Sequence, residues 1–237
     1  MKNKKLGVIG GLGPKATAYF YNLVVDCTVA HKDQDHIDAI YLNHASMPNR
    51  TTSILSGDDK ELKKLLIKDA ILLEKLGASH IAIPCNNSHY FWKDIQDSVS
   101  IPVINMIKEV INRVKLINGG GRVNKVGVLA TDGTVKTDIY GLECRKNNIE
   151  VIYPSKKYQK KIMEIIYSGV KGGEGADIAD LKDIIGELKS KRCDAVILGC
   201  TELSVLYGNT LDPYIIDALY SLARRSIELS GKKIKAY

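Results

Sequence analysis

The sequence predicts an α/β protein of two pseudo-symmetric lobes, each a mostly parallel sheet flanked by helices, with its ligand site in the cleft between them. Three observations carry this reading. Short apolar segments that run into glycine-rich or polar turns alternate with amphipathic stretches, as in parallel sheets joined by right-handed crossovers. Two of these strand-turn units occur twice, at nearly one spacing. The chain of 237 residues, 45% hydrophobic and 26% charged, is long enough to bury a large core. It can do so as one domain or as two of about 115 residues each.

In chain order, Lys2, Asn3, Lys4 and Lys5 lead into the strand Leu6-Gly7-Val8-Ile9. Four apolar residues suit a buried strand and are too few for the core of a signal peptide. Residues 4–17 read K-K-L-G-V-I-G-G-L-G-P-K-A-T, and residues 124–137 read N-K-V-G-V-L-A-T-D-G-T-V-K-T. Both are lysine-led strands ending in a turn, with Gly7 and Gly127 120 positions apart. Ala39-Ile40-Tyr41-Leu42 is the next strand. Leu62, Leu66, Ala70, Leu73 and Leu76 recur at helical steps until Gly77 stops them. The segments 78–88 (A-S-H-I-A-I-P-C-N-N-S) and 193–203 (C-D-A-V-I-L-G-C-T-E-L) each carry a strand straight into a cysteine and a polar turn. Cys85 and Cys200 lie 115 positions apart, close to the first offset. Leu181, Ile184, Ile185 and Leu188 form the helix before the second of these units. Asn118-Gly119-Gly120-Gly121 marks the turn between lobes, which divides the chain into residues 1–116 and 117–212. After Asp212-Pro213 a last helix, through Ala218, Leu222, Ile227 and Leu229, is expected to pack within 213–237 back on the first lobe.

Composition narrows the function. No apolar run reaches the roughly 18 to 20 residues of a membrane span, so no membrane role is expected. Five cysteines without a Cys-x-x-Cys pair or zinc-ligand spacing argue against a disulfide framework and a structural metal, and for a reducing cytoplasm. The net charge of +7 includes the cluster Lys156, Lys157, Lys160 and Lys161. Basic residues alternate with acids, however, and two Phe and one Trp offer little for base stacking. The cluster reads as solvated surface rather than a nucleic-acid face, and the positive field favours small anionic substrates. Gly11-Leu12-Gly13-Pro14-Lys15-Ala16 fits the dinucleotide pattern G-x-G-x-x-A. The next strand ends in Asn43-His44 without the acid that would bind a ribose, and no G-K-[ST] loop occurs, so the turn is read as cleft lining.

The cysteines separate by context. Cys27 lies on an apolar helix face with Val24 and Val25, and Cys144 and Cys193 have no partner chemistry around them; all three read as buried or incidental thiols. Cys85 and Cys200 each end a strand and begin a turn into a helix. Backbone N–H groups and the helix dipole are expected to lower a thiol pKa there. In a duplicated frame the two thiols would face each other across the cleft. Opposed thiols suit inversion of a carbon acid, with one group taking a proton from one face and the other giving one from behind. Donors in turns 85–89, 131–134 and 200–204 could stabilise the carbanion charge.

Several stretches together resemble the aspartate/glutamate racemases. They are P-C-N-N-S-H at 84–89, G-C-T-E-L-S at 199–204, G-G-L-G-P at 10–14, M-P-N-R-T at 47–51, A-T-D-G-T at 130–134 and V-K-G-G at 170–173. They span nearly the whole chain in order. The resemblance implies a racemase of aspartate or glutamate that needs no cofactor, has two pseudo-symmetric lobes and is often a homodimer. By it Cys200 would take the α-proton of the L substrate and Cys85 that of the D substrate. Asn86, Thr131, Thr134 and Thr201 would hold the α-carboxylate and amino end, and Arg50 and Lys171 the distal carboxylate. A guanidinium fork takes a carboxylate in two bonds. Without the resemblance, Arg50 reads equally as a loop charge and Lys171 as a lysine at a helix C-terminus. His89 caps or packs, with an orienting role at most. Leu12 stands where the family commonly has Met, a mild packing change. Asn87 stands where it has Thr, which alters a carboxylate contact. Retention of both cysteines favours a reversible reaction.

Other readings remain open at this level. A cis–trans isomerase of dicarboxylic acids would use one thiolate as a nucleophile on carbon. A decarboxylase of the same superfamily typically needs only one cysteine, so the pair argues against it. Nothing marks a Schiff-base lysine for pyridoxal phosphate. A non-catalytic, two-lobed protein that closes on a small anion would not need a thiol at both strand ends.

Overall fold

The computed structural model describes residues 4–117, 121–208 and 212–235. Positions 118–120 of the turn expected between the lobes lie outside the described residues. Strand β1 (Leu6–Gly10) is buried along its whole length. A strand covered on both faces has to be apolar throughout rather than alternating, which explains the run Leu-Gly-Val-Ile-Gly. It is the centre of a parallel sheet, with Leu6 opposite Ala39 of β2 (Ala39–Asn43) on one side and His80 of β3 (His80–Ala82) on the other. Gly11 turns the chain out of β1 with φ of +84°, and a Cβ on it would lie 2.6 Å from the His44 backbone. Pro14 then opens α1 (Pro14–Cys27). Helix α2 (Arg50–Ser56) follows β2 and is capped by Asn49, whose side chain accepts from the Thr52 N–H. Helix α3 (Lys60–Lys75) buries Leu62, Leu66, Ala70 and Leu73, the face its spacing predicts. A 3-10 turn at Asn87–Phe91, then α4 (Trp92–Asp97) and α5 (Met106–Val114), complete the first half.

The second sheet repeats the plan. Its strands are β4 (Lys125–Leu129), β5 (Glu150–Ile152), β6 (Ala195–Leu198) and β7 (Ile215–Asp217), in the order β5-β4-β6-β7, all parallel. Around them lie α6 (Asp132–Thr137), α7 (Ile139–Arg145), α8 (Lys156–Glu164), a π-helical turn at Ile165–Lys171, α9 (Ile178–Ser190), α10 (Thr201–Tyr207) and α11 (Ala218–Leu229). The order β2-β1-β3 matches β5-β4-β6. A single parallel bridge, Ile81 to Val103, stands where β7 stands in the second sheet. Each leads into a capped helix, α5 by Asn105 and α11 by Asp217. The short strands β5 and β7 carry no signal that sequence periodicity marks.

One apolar cluster runs through both lobes, joining Leu6 and Val8 to Val126 and Val128 by way of Ile107, Val110, Leu219 and Leu222 of the packed pair α5 and α11. Fully burying one such side chain is worth about 1.5 to 3 kcal/mol, so the seam holds the lobes together on the side away from the cysteines. Helix α11 also lies against α1, and Ile234 bridges Thr28, while β7 belongs to the second sheet. Cys85 is part of a separate core on the outer side of the first sheet and Cys200 of one on the second. Cys27, Cys144 and Cys193 are buried, and burial pushes the Cys144 thiol up to about 12. Among the described residues no helix is long and apolar enough to cross a membrane.

Candidate active site

The turns that follow β1, β2, β3, β4 and β6 converge on one narrow cavity, at the strand ends where parallel sheets bind ligands. Leu12 comes from the first turn and Arg50 from the second. Cys85, Asn86 and Asn87 follow β3, Thr131 and Thr134 follow β4, and Cys200 and Thr201 follow β6. Lys171 reaches in from the end of the π-helical turn. Every residue to which the resemblance gives a catalytic or substrate-binding role thus lines the same cavity, whereas His89 does not. Asn49, Thr51, Tyr167 and Glu202 join them. Of these Asn49 and Thr51 flank Arg50 in M-P-N-R-T and Glu202 follows Cys200-Thr201, while Tyr167 carries no sequence signal. The cavity volume is about 10 Å³, room for about one water.

Cys200 is the N-cap residue of α10, and its Sγ donates to Glu202 Oε2 at 3.0 Å. Burial pushes this thiol well above its ordinary pKa, and the Glu202 carboxylate adds to the rise against the opposing Lys171 ammonium. The low thiol pKa expected from the helix start is therefore not found at Cys200. Complete desolvation and a carboxylate at hydrogen-bond distance outweigh a helix of two turns. Glu202 is itself buried. Its Oε2 also accepts from Thr201 Oγ1 at 3.3 Å, while Oε1 makes no hydrogen bond and is met by Lys171 Nζ at 3.4 Å. Burial pulls the Lys171 ammonium down, but Glu202, Cys200 and Cys85 together hold it above its ordinary value. Lys171 Nζ also lies 4.9 Å above the Tyr167 ring.

On the opposite lip, the Cys85 carbonyl is braced by His89 Nδ1 at 2.9 Å, and His89 Nε2 faces the Ile104 carbonyl at 3.3 Å. Burial lowers His89 to about 4, so the ring is neutral at pH 7 and its one N–H donates to one of the two carbonyls. Asn86 Oδ1 accepts from Tyr140 Oη at 2.6 Å, whereas its Nδ2 is buried without a partner. That unpaired amide is a donor ready for a ligand oxygen. Asn87 Nδ2 donates to Thr51 Oγ1, and its Oδ1 accepts from both Thr131 and Thr134. The hydroxyls that motif resemblance gives to a substrate carboxylate are therefore engaged by the protein itself.

Arg50 Nη1 donates to the Met47 and Pro48 carbonyls at 3.3 and 3.0 Å. No ion pair among the described residues answers its charge. Beyond Arg50, Lys171 and Glu202 lies a hollow of about 290 Å³, walled by the Gly11–Lys15 turn and Val170. Lys15 Nζ donates across it to the Val170 carbonyl at 2.9 Å. Among the described residues no group of three His, Cys, Asp or Glu side chains is placed to hold a metal ion. The arrangement offers two thiols, one with a carboxylate at hand, two cations and an unpaired amide donor around one small cavity.

The family described as Asp/Glu/Hydantoin racemase matches residues 9–223 of the chain. The broad specificity amino-acid racemase RacX of Bacillus subtilis is 28% identical over 224 residues, covering 94% of this chain and 96% of that protein. Among solved structures, Picrophilus torridus aspartate racemase superposes with a TM-score of 0.83 at 27% identity, over 98% of this chain and 96% of the other. An aspartate racemase homologue from Pyrococcus horikoshii does so with a TM-score of 0.75 at 26% identity, over 96% and 99%.

Proposed function

The chain belongs to the Asp/Glu/hydantoin racemase family and is an amino-acid racemase, and from that premise we propose that it interconverts L- and D-aspartate, or glutamate, by proton transfer between two cysteines without a cofactor. The observation that carries the mechanism is that Cys85 and Cys200, 115 positions apart in sequence, line one cavity. In the L-to-D direction the Cys200 thiolate takes the α-proton and becomes a thiol. The Cys85 thiol gives its proton to the opposite face of the carbanion and becomes a thiolate. The D-to-L direction runs the same transfers in reverse. Cys200, held protonated against Glu202, is poised as the acid of that reverse direction.

The carbanion spreads its charge onto the α-carboxylate, and preorganised donors at that group lower the barrier. Asn86 Nδ2 and the Thr201 hydroxyl are the donors we assign there, with Thr131, Thr134 and Asn87 completing that end of the cavity. Arg50 is assigned to the distal carboxylate, and Lys171 supports it. Leu12 packs against the substrate side. We take residues 1–116 and 117–212 as the lobes that part to admit it, with the helix of 213–237 docked on the first, and a homodimer as the working form.

A second reading, a substrate range wider than the acidic amino acids, is favoured by one contact. Lys171 is already neutralised by Glu202 at 3.4 Å, which leaves Arg50 alone for a distal carboxylate. The 28% identical relative is itself described as of broad specificity. Proton NMR in D₂O with each enantiomer of aspartate and glutamate, followed by circular dichroism of the same tubes, tests both readings. Loss of the α-proton signal with decay of rotation for the acidic pair supports the first. Equal or faster loss for neutral or basic amino acids supports the second. Retention of the α-proton in all of them contradicts both.

A further inference from the structure

Two hydroxyl groups of one lobe converge on a single oxygen of the other. Thr131 Oγ1 and Thr134 Oγ1, at the start of α6, donate to Asn87 Oδ1 at 3.0 and 2.5 Å. The other end of the same carboxamide is fixed as well, since Nδ2 donates to Thr51 Oγ1 at 2.8 Å. All four side chains are more than nine-tenths buried, and all four line the cavity that holds the thiols. A pair of O–H donors aimed at one oxygen is the grip that a carboxylate oxygen would take, yet the oxygen here belongs to the protein.

We propose that Asn87 is a displaceable latch: its carboxamide oxygen fills the carboxylate position offered by Thr131 and Thr134, ties the two lobes closed, and leaves when a substrate α-carboxylate takes its place. This rests on the racemase reading for the identity of the displacing group. Two observations support it independently of that reading. With Asn87 in place the cavity holds about 10 Å³, far less than any amino acid needs, so a lining group has to move before one can bind. The packing leaves no room beside the latch, because a Cβ on Gly133 would already lie 3.2 Å from Thr51 Cα and 3.4 Å from Asn87 Oδ1. Of the other polar ties across the cleft, Tyr140 Oη to Asn86 Oδ1 is buried as well, while Lys136 Nζ to the Leu55 carbonyl and Lys15 Nζ to the Val170 carbonyl are exposed or half-buried at the rim. The Asn87 contacts are buried, where a hydrogen bond has no water to replace it.

A latch that competes with the substrate lowers apparent affinity by the fraction of molecules it holds shut. Substitutions of opposite chemistry should then move KM in opposite directions, which a merely structural role would not do. Asn87→Thr removes the competing oxygen and should lower KM about fivefold, the worth of roughly one net hydrogen bond. Asn87→Asp puts a carboxylate in the cradle and should raise KM by at least as much, the change in both variants falling on KM rather than kcat. A rise in KM for Asn87→Thr, or no change in either variant, overturns the latch. Hydrogen exchange of the α6 amides in ligand-free protein gives a readout that needs no turnover. Faster exchange in Asn87→Thr than in the wild type supports the latch, and equal rates overturn it. If the wild type moves no α-proton of any amino acid, the racemase reading fails, while the exchange result still decides whether Asn87 closes the lobes.

Discussion

Tyr140 Oη donates a hydrogen bond to Asn86 Oδ1 over 2.6 Å, joining α7 of one lobe to the residue after Cys85 in the other. Tyr140 is fully buried, and burial keeps its phenol far above the usual range, so the O–H remains a donor. The bond fixes which end of the Asn86 amide is left for the cavity. The same ring packs against Gly199, where a Cβ would lie 3.0 Å from Cε2, next to Cys200. One tyrosine therefore braces the loops of both cysteines.

Tyr140→Phe keeps the ring and removes the bond. The Asn86 amide is then free to turn its oxygen toward the substrate carboxylate. We expect KM to rise about tenfold and stability to fall by about 1 to 2 kcal/mol for the acceptor left without its donor. Steady-state kinetics and urea unfolding of the variant check the two effects separately. A fall in stability with KM unmoved would assign Tyr140 to packing alone.

Glu202→Gln removes the negative charge beside Cys200. That charge helps raise the thiol, so its loss should lower the thiol pKa. The L-to-D reaction needs Cys200 ionised, and the acid limb of its kcat/KM profile should shift to lower pH. A limb that stays in place, or moves up, would remove Glu202 from the titration of Cys200.

Acid should destabilise the fold through its buried histidines. Burial lowers both His80 and His89 from 6.5 to about 4. A folded-state pKa below the unfolded one gives stability that is present above pH 6.5 and lost as pH falls toward 4. Each histidine accounts for about 2 to 3 kcal/mol over that window. The urea midpoint should drop between pH 7.5 and 4.5, and His89→Gln should flatten part of the drop. An unchanged slope in the variant would contradict a buried neutral His89.

Gly11→Ala should be among the most damaging single changes outside the cleft chemistry. The residue has φ of +84°, and the new methyl would press within 2.6 Å of the His44 backbone. Strain of both kinds predicts a loss of at least about 2 kcal/mol in urea unfolding.

Much of this was legible in sequence because it is local. The strands β1, β4 and β6 are built on short apolar runs, and the duplicated strand-cysteine units, which include β3, mark the cavity. The strands β5 and β7 are three residues each, as β3 is, but no duplicated cysteine unit marks them. Tyr140 and Tyr167 reach the site from segments whose own pattern is ordinary helix, and Thr51, though within M-P-N-R-T, has no spacing that marks its side chain. Glu202 was visible as a polar residue after Cys200, but its pairing with Lys171 spans 31 positions and depends on a π-helical turn that no spacing rule foretells. The low thiol pKa expected at Cys200 failed for a similar reason. The helix start is a local feature, whereas the burial and the carboxylate that outweigh it come from the tertiary fold.

In the two-cysteine mechanism thiols on opposite faces share one substrate, and deuterium partition at early conversion distinguishes this from a single base. L-Aspartate, or whichever amino acid turns over, is incubated in D₂O with the reduced protein, and both enantiomers are separated and analysed before equilibrium. Two bases predict that the product enantiomer carries deuterium at Cα while the remaining substrate enantiomer keeps protium. Deuterium gained equally by both enantiomers, or protium carried into the product, would mean that a single base serves both faces and would contradict the account.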